Sequence, residues 1–141
     1  MGEHKKNYAQ RSQARRYVLQ VLYADELNPS AGDAQDEIFQ HKPEGEELAF
    51  ADRLIEAVKS HQPEIDPKIS SHLKRWSLSQ MNVVDKNILR LGVAEMLYVD
   101  EHPDKRVIIN EAVEMAKKFG GDQSYRLING ILDTIAEENH L

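Results

Sequence analysis

Residues 82–99 read NVVDKNILRLGVAEMLYV and form the most apolar helical pattern in the chain. Apolar side chains recur at the three- and four-residue spacing of an α-helix, and they mark two of its sides. A helix that is apolar on two sides packs against neighbours all round, so the pattern predicts a central helix. Gly92 would allow another helix to approach closely. Glu95 lies among apolar residues and is expected to pair with a basic side chain rather than to act as a general acid.

The segments on both sides of this helix also have helical periodicity, and strand signals are almost absent. Pro63 or Pro67 is expected to open one helix near its first turn. The buried side of that helix would consist of Ile65, Ile69, Leu73 and Trp76. The predicted helices cover about residues 9–27, 34–40, 44–60, a segment from 63 or 67, and then 82–99, 105–119 and 122 or 124 onward. We therefore expect one all-α domain over residues 1–141, a compact bundle of about seven helices.

Local signals mark several helix ends. Ser77 and Gln80 have the spacing of a capping box. The pair Gly120-Gly121 is a strong helix stop, and either Asp122 or Ser124 could cap the last helix.

The composition excludes several classes of protein. The chain has 141 residues and no cysteine, which removes disulfides, thiolate metal sites and a cysteine nucleophile. No apolar run approaches the length of a membrane span, and the polar N-terminus lacks a secretory signal. The six histidines show no i, i+4 pair, and neither a G-x-S-x-G motif nor a phosphate-binding glycine loop is present. We therefore expect a cytoplasmic, non-enzymatic protein with no metal, no cofactor and no membrane partner.

Positive charge is concentrated at the start of a chain that is acidic overall. Residues 1–16 hold five basic side chains and one acid, whereas the formal net charge of the whole chain is −6. This asymmetry favours a polyanionic partner, although a solvated, frayed terminus would have the same composition. The basic residues continue into the first predicted helix, so Arg15 and Arg16 would be held in place.

A second basic region surrounds the two glycines. Lys117 and Lys118 lie in the last turn of a predicted helix, where cations also suit the helix dipole. Beyond the glycines, Gln123, Tyr125 and Arg126 open the final helix, whose free backbone N–H groups can bind an anion. Gln123 can read a base edge and Tyr125 offers a face for stacking. The combination indicates a single-stranded RNA site.

Three parts of the chain carry a family resemblance. VIINEAVEMAKKFG (107–120), with Ser124 and LINGILD (127–133), resembles the C-terminal signature of the NusB family of bacterial transcription antitermination proteins. ARRYVLQVLY (14–23) is similar to the first helix of that family. WSL (76–78) and VDKNILRLGVAEM (84–96) are similar to its central helix.

The resemblance implies an all-helical fold of two small subdomains and the role of a non-catalytic adaptor. It implies binding of boxA, a short single-stranded element in the leader of ribosomal RNA operons, together with NusE, a small-subunit ribosomal protein. The pair would join the RNA polymerase antitermination complex and promote read-through of terminators. Some family members dimerise, so a homodimer stays open.

The resemblance also assigns roles to individual positions. Arg11, Arg15 and Arg16 fall in the arginine-rich start of the family and are assigned to phosphate contacts. Gln123 and Arg126 match positions near RNA, whereas Leu127 replaces an aromatic found in some members. The complete RNA-binding set is Arg11, Arg15, Arg16, Lys118, Gln123, Tyr125 and Arg126.

Asp85 matches an acidic position implicated in the NusE contact, although an acid in the first turn of a helix also satisfies the dipole. Other residues of the signature are interpreted as structural, through polar contacts and close packing between the last two helices. These are Asn110, Glu111, Asn129 and Gly130.

The sequence leaves two alternative functions to consider. The same helical module precedes the catalytic domain of some ribosomal RNA methyltransferases, but no cofactor-binding βαβ pattern is present here. The second alternative is a helical protein-interaction module without specific RNA binding. The RNA hypothesis requires the arginine-rich start to lie beside the second basic region, around Gly120-Gly121.

Overall fold

The computed structural model describes residues 2–27 and 42–141, with side chains from residue 11 in the first range. These residues form five α-helices and one turn of 3-10 helix and contain no β-strand, which confirms the all-α fold class. The short helix predicted at residues 34–40 lies outside the described residues. The elements are α1 (Gly2–Leu27), α2 (Gly45–Ser70), the 3-10 turn (Leu78–Gln80), α3 (Val83–Tyr98), α4 (Lys105–Phe119) and α5 (Ser124–Glu138).

The central position predicted for α3 is confirmed. This helix packs against each of the four others, and every residue from Asn87 to Met96 is buried. Gly92 permits a close approach to α5, because a Cβ built there would lie 3.1 Å from the methyl carbons of Leu132. Buried side chains from all five helices form one hydrophobic cluster. The division into two small subdomains stays a prediction.

α2 corrects the predicted helix pattern. Two helices were expected from residue 44 onward, but a single helix runs through Pro63 and Pro67. Each proline removes one backbone hydrogen bond, at a cost of roughly 3 kcal/mol. Both prolines are exposed, so water can bond the carbonyls that lose their donors, whereas Ile65 and Ile69 are fully buried. Burial of the isoleucines holds the helix together, and the predicted count of about seven helices is too high for the described residues.

The segment after α2 brings a second correction. Trp76, predicted to be buried, is 53% exposed because the helix ends at Ser70, before the apolar stripe reaches it. Leu73 is partly buried against the core. The side chain of Gln80 accepts a hydrogen bond from the Ser77 N–H at 2.8 Å. The predicted capping interaction is therefore present, although it closes only the 3-10 turn.

Arg90 joins α1, α2 and α3. Its guanidinium donates to both carboxylate oxygens of Asp66 at 2.9 Å and to Glu26 at 2.8 Å. Lys86 lies 2.8 Å from the carboxylate of the same Glu26. Burial alone would raise the pKa of Glu26, but the hydrogen bonds from Lys86 and Arg90 outweigh it and lower this pKa. Burial likewise opposes the charge of Arg90, yet its hydrogen bonds to Asp66 and Glu26 raise its pKa.

We expect Glu26→Gln to make the fold less sensitive to acid. The folded-state pKa of Glu26 lies below its ordinary value of 4.5, so its ion pairs contribute stability above that pH and lose it as the pH falls through the folded-state value. In urea titrations between about pH 5 and 3, the unfolding free energy of the unmodified protein should fall more steeply than that of the variant. Glu137→Gln, at an exposed position of α5, should keep the original slope. A Glu26→Gln slope equal to the original would contradict this account.

Candidate nucleic-acid interface

Arg15 is a core residue. Its Nε and Nη2 donate to the two carboxylate oxygens of Glu95 on α3 at 2.7 and 2.6 Å, and these side chains are 1% and 0% exposed. The guanidinium also lies 5.4 Å from the ring centre of Phe50. The assignment of Arg15 to a phosphate contact is therefore corrected, because the buried carboxylate holds the guanidinium inside the bundle. The expectation that Glu95 pairs with a basic residue is confirmed.

The two neighbouring arginines reach the surface in different places. Arg11 is half-buried, with its guanidinium 4.7 Å from the ring centre of Phe50. It borders a cleft that α1 forms with α2 and the turn after α3. Arg16 is half-exposed and follows Ser12 by four residues, so these two lie on one face of α1. Arg11 therefore faces α2 and the turn after α3, away from Gly120 and Gly121.

α1 reaches α4 through two side chains, Ser12 and Arg15, which both approach Glu111. Ser12 Oγ donates to Glu111 Oε1, and Arg15 Nη1 lies 3.9 Å from the same oxygen. Glu111 therefore has a structural role, but it joins α4 to α1 and not to the last helix as predicted. Lys118 follows Glu111 by two turns and lies on the same face of α4, about 10 Å further along. Arg16 and Lys118 therefore lie on the sides of α1 and α4 that carry the contact between Ser12 and Glu111. The side-by-side arrangement of the two basic regions stays a prediction, and Arg16 is the residue of α1 proposed to link them.

The corner between α4 and α5 is built around the carboxylate of Asp85. The two oxygens accept from the Gly121 N–H at 3.3 Å each, and one also accepts from Ser124 Oγ at 2.9 Å. Gly120 is required here, because a Cβ at that position would lie 2.3 Å from Asp85 Oδ1. Asp85 is only 6% exposed, so its carboxylate is engaged within the chain. The NusE contact assigned to this residue stays a prediction.

Gln123 adopts a left-handed backbone conformation that non-glycine residues rarely use. Its φ is 59°, and it forms the N-cap of α5 without a side-chain hydrogen bond to the helix. The predicted caps, Asp122 and Ser124, are therefore corrected: Ser124 is the first residue of the helix, and its hydroxyl is drawn to Asp85. Such backbone strain costs on the order of 1 kcal/mol and is held by the Asp85 hydrogen bonds. The exposed Gln123 side chain stands at the start of α5, where the N–H groups of Ser124 and Arg126 donate to the carbonyls of Gly121 and Gln123.

Three cations gather at the corner. Lys117 Nζ and Arg126 Cζ lie 5.2 and 5.8 Å from the ring centre of Tyr125, and Arg126 Nε–H donates to the Tyr125 hydroxyl at 3.3 Å. Lys118 Nζ lies 5.6 Å from the ring centre of Phe119. These contacts orient the cations without neutralising them. The structure thus brings together four of the predicted residues, which are Lys118, Gln123, Tyr125 and Arg126.

The interpretation of Asn110, Asn129 and Gly130 as closely packed residues is wrong. All three are exposed, and a Cβ at Gly130 would meet no atom within 4 Å. The two asparagines border an outer groove between α4 and α5, together with Arg106. Sequence reasoning did not place these three residues along a groove beside the corner. The available signal was the four- and seven-residue spacing of Arg106, Asn110 and Lys117, which puts them on one face of α4.

Other kinds of site have little support in residues 2–27 and 42–141. No cluster of three histidine, aspartate or glutamate side chains there could hold a metal ion. Within the same residues, no helix combines the length and the hydropathy that a bilayer crossing requires. The basic corner, formed by Lys117, Lys118, Gln123, Tyr125 and Arg126, is therefore the candidate site.

Comparisons with known proteins agree with this geometry. A model of the NusB family matches residues 12–137. The transcription antitermination protein NusB of Macrococcus caseolyticus (strain JCSC5402) is 43% identical over 126 residues, covering 89% of this chain and 95% of the relative. The solved structure of T. maritima NusB superposes with a TM-score of 0.80 at 35% identity and covers 91% of each chain. A chain in the crystal structure of the antitermination factors NusB and NusE in complex with dsRNA superposes with a TM-score of 0.77 at 25% identity, covering 94% of this chain and 98% of that one.

The fold, the site and these relatives define a class, the transcription antitermination proteins, which regulate transcription and are not enzymes. Within that class, this chain belongs to the NusB family. The family resemblance of the sequence is thereby confirmed.

We expect Arg15→Met to destabilise the fold by about 3–5 kcal/mol, because it leaves the Glu95 carboxylate buried without its partner. The double variant Arg15→Met with Glu95→Leu should recover most of this loss, since no buried charge remains. Arg16→Met is the matched surface control and should change stability by less than about 0.5 kcal/mol. Urea denaturation measures all three. A single Arg15→Met variant as stable as the control would show that the ion pair is not a core contact.

Gly120→Ala should destabilise the protein by about 1–3 kcal/mol, because the new Cβ overlaps the Asp85 carboxylate. Gly130→Ala provides a matched control in the open part of α5 and should stabilise it by roughly 0.5–1 kcal/mol. Thermal unfolding of both variants gives the comparison. A Gly120→Ala variant that is as stable as Gly130→Ala, or more stable, would disprove the close contact at the corner.

Proposed function

We propose that this protein is an RNA-binding adaptor of transcription antitermination. It binds boxA RNA of ribosomal RNA operon leaders together with NusE, as part of the RNA polymerase antitermination complex, and promotes read-through. The observation that carries the proposal is the corner where Lys117 and Arg126 lie over the ring of Tyr125 and Lys118 lies over the ring of Phe119. The relative solved with NusE and dsRNA supports both kinds of partner.

The surface residues divide the work of holding RNA. Arg16, Lys118 and Arg126 are exposed or half-exposed cations suited to phosphate contacts. Gln123 offers an amide to a base edge, and Tyr125 offers an aromatic ring. Arg11 would contact RNA only where the strand crosses the N-terminal half of α1.

This arrangement favours weak binding by the protein alone. Only about four cations face the proposed path, and each phosphate contact to a single strand contributes about −0.7 to the slope of log affinity against log salt. The expected slope is therefore roughly −3, on a chain whose formal net charge is −6. NusE would add its own surface and tighten the complex.

The NusE contact is proposed to lie near the start of α3. Asp85 stands there, and its hydrogen bonds to Gly121 and Ser124 engage its carboxylate. Asp85 would therefore affect NusE binding indirectly, because it fixes the conformation of the turn between α4 and α5. Sedimentation of the free protein would reveal a homodimer that competes for the same surface.

The test is a titration of labelled single-stranded boxA RNA by fluorescence anisotropy, with and without NusE, at about 50 and 200 mM salt. The double variant Arg16→Glu with Arg126→Glu should weaken RNA binding by roughly tenfold or more. A matched control reverses two exposed cations after α2, Lys74→Glu with Arg75→Glu, and should keep the original affinity.

Two results would overturn the proposal. Equal RNA affinity with and without NusE would remove the adaptor role. Unchanged RNA affinity in the Arg16 and Arg126 double variant, with NusE binding retained, would instead favour the helical protein-interaction module. A duplex of the same sequence shows whether the corner prefers single or double strands.

A further inference from the structure

The outer groove between α4 and α5 lies on the opposite flank of α4 from α1. It has a volume of about 500 Å³ and runs along the antiparallel pair from Lys117 and Tyr125 at the corner to Arg106 and Asp133 at the far end. Eleven residues of α4 separate Lys117 from Arg106, so the groove is about 16 Å long. The RNA path proposed above reaches only the corner end of this groove, at Lys117, Tyr125 and Arg126.

The charges along this groove favour an anion. Arg106, Lys117 and Arg126 border it, against one carboxylate, that of Asp133. Arg106 lies 3.2 Å from Asp104, and Lys117 lies 3.7 Å from Glu114. All four of these paired groups are exposed, so the pairs are screened and the cations can exchange partners.

Two amides face the middle of the groove. Asn110 on α4 and Asn129 on α5 are both exposed, and neither side chain has a hydrogen-bond partner among the described residues. An amide carries a donor and an acceptor side by side, which matches the edge of a base. The apolar floor is small, since Ile109 is buried and Val113 is partly buried, and this disfavours a protein partner that needs an apolar anchor.

The groove is continuous with the basic corner. Lys117, Tyr125 and Arg126 border both, so a strand held at the corner can turn around the end of α4 and enter the groove without leaving positive charge. This continuity favours an occupant that is part of the same RNA strand as the segment held at the corner.

We propose that the groove between α4 and α5 binds the single-stranded nucleotides next to the RNA segment held at the corner. Asn110 and Asn129 read base edges there, and Arg106 holds a phosphate at the far end. The proposal rests on the RNA binding proposed above and names the residues that extend its specificity.

The experiment uses the complex with NusE and three labelled RNAs: single-stranded boxA RNA, and the same RNA with six adenosines added at its 5′ or at its 3′ end. One extension should tighten binding roughly tenfold, as expected for one or two added base contacts. Asn110→Ala with Asn129→Ala should abolish this gain and leave the affinity for the unextended RNA unchanged. Arg106→Ala should remove part of the gain, whereas Arg75→Ala, an exposed arginine outside the groove, should remove none.

A second measurement needs no substitution. Placing 4-thiouridine in the favoured extension and irradiating the complex should cross-link the RNA to a peptide from α4 or α5. A gain that survives in the double asparagine variant, no gain from either extension, or cross-links confined to other helices would each overturn the proposal. Failure of the unextended RNA to bind the unmodified complex would be a failure of the proposed function itself.

Discussion

The ion pair between Arg15 and Glu95 is the constraint on which the rest of the arrangement depends. Both groups are removed from water in the centre of the bundle, so each is tolerable only with the other in place. The fork of the guanidinium fits the two carboxylate oxygens in one orientation and therefore fixes the register of α1 on α3. That register in turn brings Ser12 to Glu111 and leaves Arg16 half-exposed. A polar contact inside the core thus determines which charges appear on the surface.

Much of the fold could be predicted from the sequence because its helices follow apolar periodicity. The central place of α3, the close approach at Gly92 and the span of α4 were all available from spacing. The continuity of α2 was not, because the penalty of a proline is local whereas the burial that outweighs it depends on partners distant in sequence. The exposure of Trp76 could not be predicted either, because its place in the apolar stripe implies burial only if the helix continues to residue 76, and α2 ends at Ser70.

The site was predictable in location but less so in detail. The lysines, glycines and arginine of the corner are close together in sequence and therefore also in space, so the sequence predicts the position of the corner. Arg15 looked like its neighbours in composition and differed in position: it shares a buried stripe with Leu19 and Leu22, at spacings of four and three residues. A basic residue within a buried stripe of α1, together with Glu95 in the most apolar helix, could have predicted a buried ion pair. The exposure of Asn110 and Asn129 depends on the angle at which α4 and α5 pack, which the sequence does not reveal.

The prolines of α2 divide that helix into parts of unequal independence. Before Pro63 its backbone hydrogen bonds are continuous, whereas the stretch up to Ser70 relies on the docking of Ile65, Ile69 and Asp66 against the core. A stretch of this kind opens at lower free energy than the helices around it. Amide protons there should exchange early, and the adjoining segment with its exposed tryptophan should open together with it. The last turns of α2 and the segment that follows them can therefore open while the buried helix α3 stays in place.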